Sequence, residues 1–204
     1  MTRHTAELIV ILFLMTLGCG GSEGPADSSG TDAALDAAAS TAPAQELKPD
    51  DPSLVRRPFT ADEIRDEWVE GFRLLIRRTT PEGASVERWT VLSADDEGAE
   101  IEYATLDEDN NVSESAVRRA TWVELRDHAG FPAATATREW VTRSTALGIY
   151  DGWLYRVTGG DGAAIEEYFF VPSLPGAPVQ MKILDGDTTV FTLEQVARLR
   201  PDAP

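Results

Sequence analysis

Through much of the second half of the chain, apolar and polar side chains alternate with a period of two. Ile101, Tyr103 and Thr105 fall on one side of their segment, Glu100 and Glu102 on the other. Trp153, Tyr155 and Val157 align in the same way, and Val179, Met181 and Ile183 oppose Gln180 and Lys182. Residues two apart share a face only in an extended chain, so this pattern specifies strands with one wet face. Turn chemistry divides them at Pro81-Glu82-Gly83, Asp95-Asp96-Glu97-Gly98, Asp109-Asn110-Asn111, Gly159-Gly160-Asp161-Gly162 and Asp185-Gly186. The last is the clearest hairpin signal, because Asp-Gly suits the primed turns that match strand twist. The spacing predicts about eight strands, over 72–80, 85–94, 99–107, 112–120, 134–144, 152–158, 164–171 and 178–193, the last a hairpin pair. Short connections make neighbours antiparallel. No helix–strand alternation points to a parallel, doubly wound sheet.

Helical signals are sparse and local. Thr60-Ala61-Asp62-Glu63 is a capping box, and Ile64, Trp68 and Val69 supply a short apolar face, so a helix is predicted from Ala61 to about Glu70, ended by Gly71. Thr121-Trp122-Val123-Glu124 repeats the box and predicts a second short helix ending near Gly130, before Pro132. Pro172-Ser173-Leu174-Pro175-Gly176-Ala177-Pro178 presets an extended loop and removes backbone donors. It reads as a stiff connection between strands, with a gate beside a pocket as the functional alternative. The fold class expected is α+β, mostly antiparallel β: a curved sheet or partial barrel with one or two short helices.

The first residues follow other rules. Arg3 and His4 precede the uncharged run Leu8–Leu17, whose ten residues would rise ~15 Å as a helix, half the ~30 Å hydrocarbon core. A charged start, a short apolar run and a small-residue site constitute a secretory signal. The chain's only cysteine stands at its end, in Thr16-Leu17-Gly18-Cys19. That tetrapeptide resembles the lipobox of bacterial lipoproteins. The resemblance implies a cysteine lipidated on sulfur that becomes the first mature residue. Gly20, in place of an aspartate, implies by the same resemblance anchoring to the outer membrane. Acyl chains worth ~0.8 kcal/mol per buried CH₂ would make that attachment essentially permanent.

From Gly20 to about Ser53 the chain is rich in Gly, Ser, Ala, Asp and Pro, and no aromatic occurs between Phe13 and Phe59. Such a stretch cannot bury enough apolar area to offset its ordering entropy. It is expected to be a disordered spacer with an r.m.s. span of ~30–35 Å, and Ala33–Ala39 could form a brief helix within it. The expected organisation is a signal over 1–18, a lipidated Cys19 with tether over 19–55, and one folded β-rich domain over 56–204. The domain holds all five Trp and all four Tyr.

Composition narrows the function classes. Lys+Arg 18 against Asp+Glu 35 give a net charge of -17, which argues against a nucleic-acid partner. One cysteine excludes an intramolecular disulfide and a multi-thiolate zinc site. His128, the only histidine after the signal, reads as a helix C-terminal residue; the enzymatic alternative makes it the general base of an unrecognised hydrolase. Asp107-Glu108-Asp109-Asn110-Asn111 begins like a calcium loop, but Val112 replaces the glycine and Arg118 the bidentate glutamate, so a solvated hairpin turn is expected. Arg77-Arg78 and Arg118-Arg119 read as members of interspersed surface pairs. No catalytic residue, metal or cofactor is expected. Trp89, Tyr103, Trp140, Trp153, Tyr155 and Phe169 would either fill the core or line a cavity for a lipid or other hydrophobic ligand. A curved antiparallel sheet with an aromatic inner face is similar to the half-barrels of the outer-membrane lipoprotein carrier class, and that similarity implies such a cavity. The expected protein is a non-enzymatic binding or scaffolding module of the bacterial envelope. Its expected partners are a membrane, through Cys19, and an envelope protein or a hydrophobic ligand, on the periplasmic or outer face.

Overall fold

Two local boxes start the helices. Thr60 Oγ1 accepts from Glu63 N at 3.1 Å while Thr60 N donates to Glu63 Oε2 at 2.7 Å, which opens α1 (Ala61–Glu67). Thr121 and Glu124 make the same reciprocal pair at 3.1 and 2.7 Å and open α2 (Trp122–Asp127). Each box satisfies donors that the first helical turn leaves free. α1 is shorter than its apolar spacing predicts. Gly71 N donates to Val91 O and Val91 N to Phe72 O, so the sheet captures the backbone before the helix can run on to Glu70.

The computed structural model describes residues 51–159 and 164–201. The signal, Cys19, the Ala33–Ala39 segment and most of the tether lie outside the described residues, as does 160–163 of one predicted turn. All described residues belong to one unit, Glu46–Pro204. Among them are nine strands: β1 (Arg73–Thr80), β2 (Gly83–Ala94), β3 (Gly98–Leu106), β4 (Val112–Thr121), β5 (Ala136–Thr145), β6 (Gly148–Thr158), β7 (Ala164–Phe170), β8 (Gln180–Asp185) and β9 (Thr188–Leu199). They form a single curved, open antiparallel sheet in the order β4-β3-β2-β1-β9-β8-β7-β6-β5. The expectation of about eight strands is thus met by nine. β1 starts in the middle, the next three strands step out to one margin, and α2 carries the chain across to the other. The remaining strands step back until β9 pairs with β1.

Register shifts interrupt the ladders between Leu75 and Ile76, Val91 and Ser93, Thr105 and Leu106, and Ile183 and Leu184. Such irregularities raise local twist and help a sheet curl. The β5–β6 hairpin is longer than the alternation predicts. β5 ends at Thr145 and β6 begins at Gly148, leaving only Ala146-Leu147 as the turn. Thr145 Oγ1 accepts from Leu147 N and donates to Gly148 O, while Gly148 adopts φ 136, a conformation that favours glycine.

One face of the sheet carries the helices. Phe59, Ile64, Trp68, Trp122 and Phe131 pack there against Leu74, Ile76, Val91, Ile101, Tyr155, Tyr168, Phe170 and Ile183 in one continuous core. Full burial of each such side chain is worth ~1.5–3 kcal/mol, so this face supplies most of the folding drive. A smaller cluster on the opposite face joins Leu154, Phe169, Val171 and Val179, capped by Leu147, Tyr150 and Leu174. Order also begins before residue 56. Leu54 bridges Pro132, and Val55 N donates to Phe131 O at 2.8 Å.

Candidate functional site

The six aromatics singled out by the alternation divide into three groups. Trp89 and Tyr103 face each other across the β2–β3 pair, with ring centroids 5.0 Å apart. Burial pushes the Tyr103 hydroxyl up to about 12, against a smaller opposing pull from Arg118. Trp140 and Trp153 meet edge to face at 4.8 Å across the β5–β6 pair, at the far margin of the same sheet face. Arg138 lies over the Trp153 ring at 3.4 Å and also approaches Tyr155. Trp140 stays 52% exposed, β5 being the last strand of the sheet order among the described residues.

Tyr155 is fully buried. Its ring contacts Phe131 at 5.2 Å and Phe170 at 5.5 Å, and its hydroxyl donates to Arg56 O at 2.5 Å. Phe169 does not join them. It is registered against Leu154, the neighbour of Tyr155, so it points to the opposite face and belongs to the smaller cluster. Phe169 thus fills a core, but a single cavity lined by all six would need it on the other face. At the Tyr168–Phe170 end of β7 consecutive residues are buried on both faces, so alternation cannot tell the faces apart there.

Between the two margins the helix-bearing face is occupied by the chain itself. Phe131 packs tilted against Tyr168 at 4.7 Å, and Phe59 meets Phe170 at 5.8 Å, so the ring cluster fills the space beneath α1 and α2. Tyr168 is held well above its ordinary value, first by burial and then by Glu166, to which its hydroxyl donates at 2.5 Å. A cleft of about 230 Å³ lies elsewhere, among the hairpin ends, lined by Arg77, Ser85, Val86, Leu106, Asp107 and Asn110 among others. It is smaller than most small-molecule sites and contains none of the six aromatics.

The proline-rich loop is tied down. Trp68 Nε1 donates to Pro175 O at 3.0 Å, and Arg198 donates to Pro175 O at 3.1 Å. Gln195, fully buried in β9, donates to Ala177 O at 2.9 Å and Pro178 O at 3.0 Å. Arg198 also bonds Glu67 at 3.0 Å, joining α1 to the same point. Burial lowers the Arg198 pKa, and Glu67 acts against that shift. The loop is thus the stiff connection expected, and the sequence carries no local sign of the Glu67–Arg198–Gln195 network that fastens it.

His128 stands at the C-terminus of α2, its backbone N donating to Glu124 O at 3.2 Å. Partial burial lowers the His128 pKa below 6.5, and the Glu124 and Asp127 carboxylates oppose that shift. Asp127 itself is committed to Arg57 at 3.1 Å and Arg126 at 2.7 Å. The Asp107 carboxylate turns onto its own loop, accepting from Asp109 N at 2.9 Å and Asn111 N at 2.8 Å. That bonding shapes the β3–β4 hairpin, where Asn110 takes φ 63. Arg78 pairs with Glu87 at 2.7 Å and Arg119 with Asp95 at 2.7 Å, so these members of the two arginine doublets are paired to acids. Cys19 lies outside the described residues.

No family model matches the chain, and no curated protein matches it. Solved structures give partial likenesses. A chain of the Pseudomonas aeruginosa MucA/MucB complex has a TM-score of 0.49 at 14% identity, covering 71% of this chain and 56% of that one. A crystal structure of MucB has a TM-score of 0.49 at 13% identity, covering 70% of this chain and 58% of that one. The chain therefore spans less than two thirds of the length of the structures it resembles.

Proposed function

We propose that this chain is a lipid-anchored protein of the bacterial envelope that binds or holds another component rather than transforming one. The observation that carries the reading is the sequence Gly18-Cys19, directly after an apolar run too short to span a bilayer and ahead of an aromatic-free tether. In this reading Cys19 takes the lipid, the acidic tether sets the distance from the outer membrane, and the sheet domain supplies the binding surface. Metabolic labelling with a fatty acid tests it. Label should enter the protein and disappear in Cys19→Ala, with the protein moving from the membrane to the soluble fraction. Label that persists in Cys19→Ala refutes the anchor.

A second reading, a carrier of a lipid or other hydrophobic ligand, is favoured by one feature, the half-exposed Trp140 resting on Trp153 beside Arg138. A ligand would enter at that margin, and its acyl portion would have to displace Phe131 from Tyr155 and Tyr168. The carrier reading predicts that a fluorescent fatty acid binds with stoichiometry near one and that Trp140→Ala weakens it about tenfold, the loss of one aromatic contact. Absence of saturable binding overturns it.

A further inference from the structure

The cleft among the hairpin ends lies on the face of the sheet away from the helices. Arg77, Val86 and Leu106 stand in one row there, because β1 registers Arg77 against Val86 and β2 registers Val86 against Leu106. Ile76, the neighbour of Arg77, belongs to the core under the helices, so Arg77 takes the other side. β2 begins at Gly83 and pairs with β3 only from Val86, so it runs past the point where β3 ends and the chain turns at Asp107. The cleft of about 230 Å³ is lined by Ala84 and Ser85 of that overhang and by Asp107, Glu108 and Asn110 of the turn.

Its polar lining is unengaged. Nearby sheet residues outside the cleft are paired, Arg78 with Glu87 at 2.7 Å and Arg88 with Glu102 at 3.3 Å. Glu194, registered opposite Arg77 on β9, instead accepts from Ala146 N at 3.0 Å and from Gln180 at 3.2 Å. Among the described residues no hydrogen bond or ion pair engages the side chains of Arg77, Ser85, Glu108 or Asn110, and none joins Arg77 to Glu108.

We infer that this cleft binds a small zwitterion, a free α-amino acid with a short aliphatic side chain. The lining charges disfavour simpler ligands. An anion alone would meet Asp107 and Glu108 as well as Arg77, and a cation alone would meet Arg77. Opposite charges that share a cleft without pairing suit a ligand that carries both, its carboxylate on Arg77 and its ammonium on Glu108. The Asp107 carboxylate is already held by Asp109 N and Asn111 N, so Glu108 is the acid left for the ammonium. The Ser85 hydroxyl and Asn110 amide add neutral donors and acceptors, and Val86 and Leu106 offer apolar surface to the side chain. A cleft of about 230 Å³ equals roughly eight waters at ~30 Å³ each, so it accommodates about eight heavy atoms, the size of valine. This inference depends neither on Cys19 nor on the aromatic margin.

The test is a titration of the isotope-labelled full chain with valine, read from backbone amide shifts. Saturable shifts should cluster at 84–86 and 107–111. Arg77→Gln and Glu108→Gln should each weaken valine binding about tenfold, the loss of one charge-assisted contact. Altered ligands give the same information without altering the protein. N-acetylvaline, which lacks the ammonium, should bind the native chain about tenfold more weakly than valine and be indifferent to Glu108→Gln. Valinamide, which lacks the carboxylate, should lose nothing to Arg77→Gln. Shifts that never saturate with valine overturn the inference. So do equal binding of valine and N-acetylvaline, valine binding unchanged by both substitutions, or saturable shifts that map to the Trp140 margin instead.

Discussion

Glu167 shows how single side chains are set on the face away from the helices. Its carboxylate receives Arg143 at 2.8 Å on one oxygen and Arg156 at 2.9 Å on the other, and Arg156 also holds Glu139. Burial works against ionisation of Glu167, but the two guanidinium bonds together bring its pKa below the ordinary 4.5. A carboxyl depressed in the folded state adds stability that is complete above its unfolded value and lost as the pH falls. Urea midpoints should therefore decline on acidification below about 4.5, and Glu167→Gln should flatten part of that decline. At neutral pH the same substitution should cost about 2 kcal/mol, because it removes charge-assisted bonds from two arginines. The sequence made arginine–acid pairing foreseeable, since arginines and acids are interspersed along the strands. The particular partners were not readable, because Arg143 reaches Glu167 over an intervening strand and only the register brings them together.

Elements differ in how much of their fate is local. Both helix starts were legible, because a Thr and a Glu three residues apart contain the whole bonding pattern of the box. The β5–β6 turn was hidden, because Ala146-Leu147 carries no glycine or proline and is held by Thr145 instead. The proline-rich loop announced its stiffness, but its fastening depends on α1 and β9, far away in sequence. At its centre Gly176 has φ 108, and a Cβ there would lie 2.4 Å from Trp68 Nε1. Gly176→Ala should therefore destabilise the domain by about 2 kcal/mol or more, read from a chemical denaturation curve, through backbone strain and displacement of the indole together. Glu67→Ala should cost about 3 kcal/mol by the same measurement, because it strips the nearest counter-charge from the buried Arg198.

At the scale of the whole molecule, period-two alternation established a mostly antiparallel sheet and its approximate strand bounds. It could not give the order, because alternation records which side is wet and not which strand lies next door. The central seam joins the first strand to the last, β1 to β9, and the chain reaches it by going out to one margin and returning from the other. Removing β9 should thus open the middle of the sheet rather than trim its border. A chain ending at Gly186 should lose its cooperative urea transition, followed by tryptophan fluorescence, rather than show a modest shift in midpoint. The segment that enters the fold has a mechanical consequence. Val55 N holds Phe131 O and Ala133 N holds Ser53 O, each at 2.8 Å, just before the Arg56 carbonyl takes the Tyr155 hydroxyl. Any tension arriving along the preceding residues meets these few bonds before any strand of the sheet. The crossing between α2 and β5 is the first part of the domain to bear load, and it would yield while the β1–β9 seam was still intact.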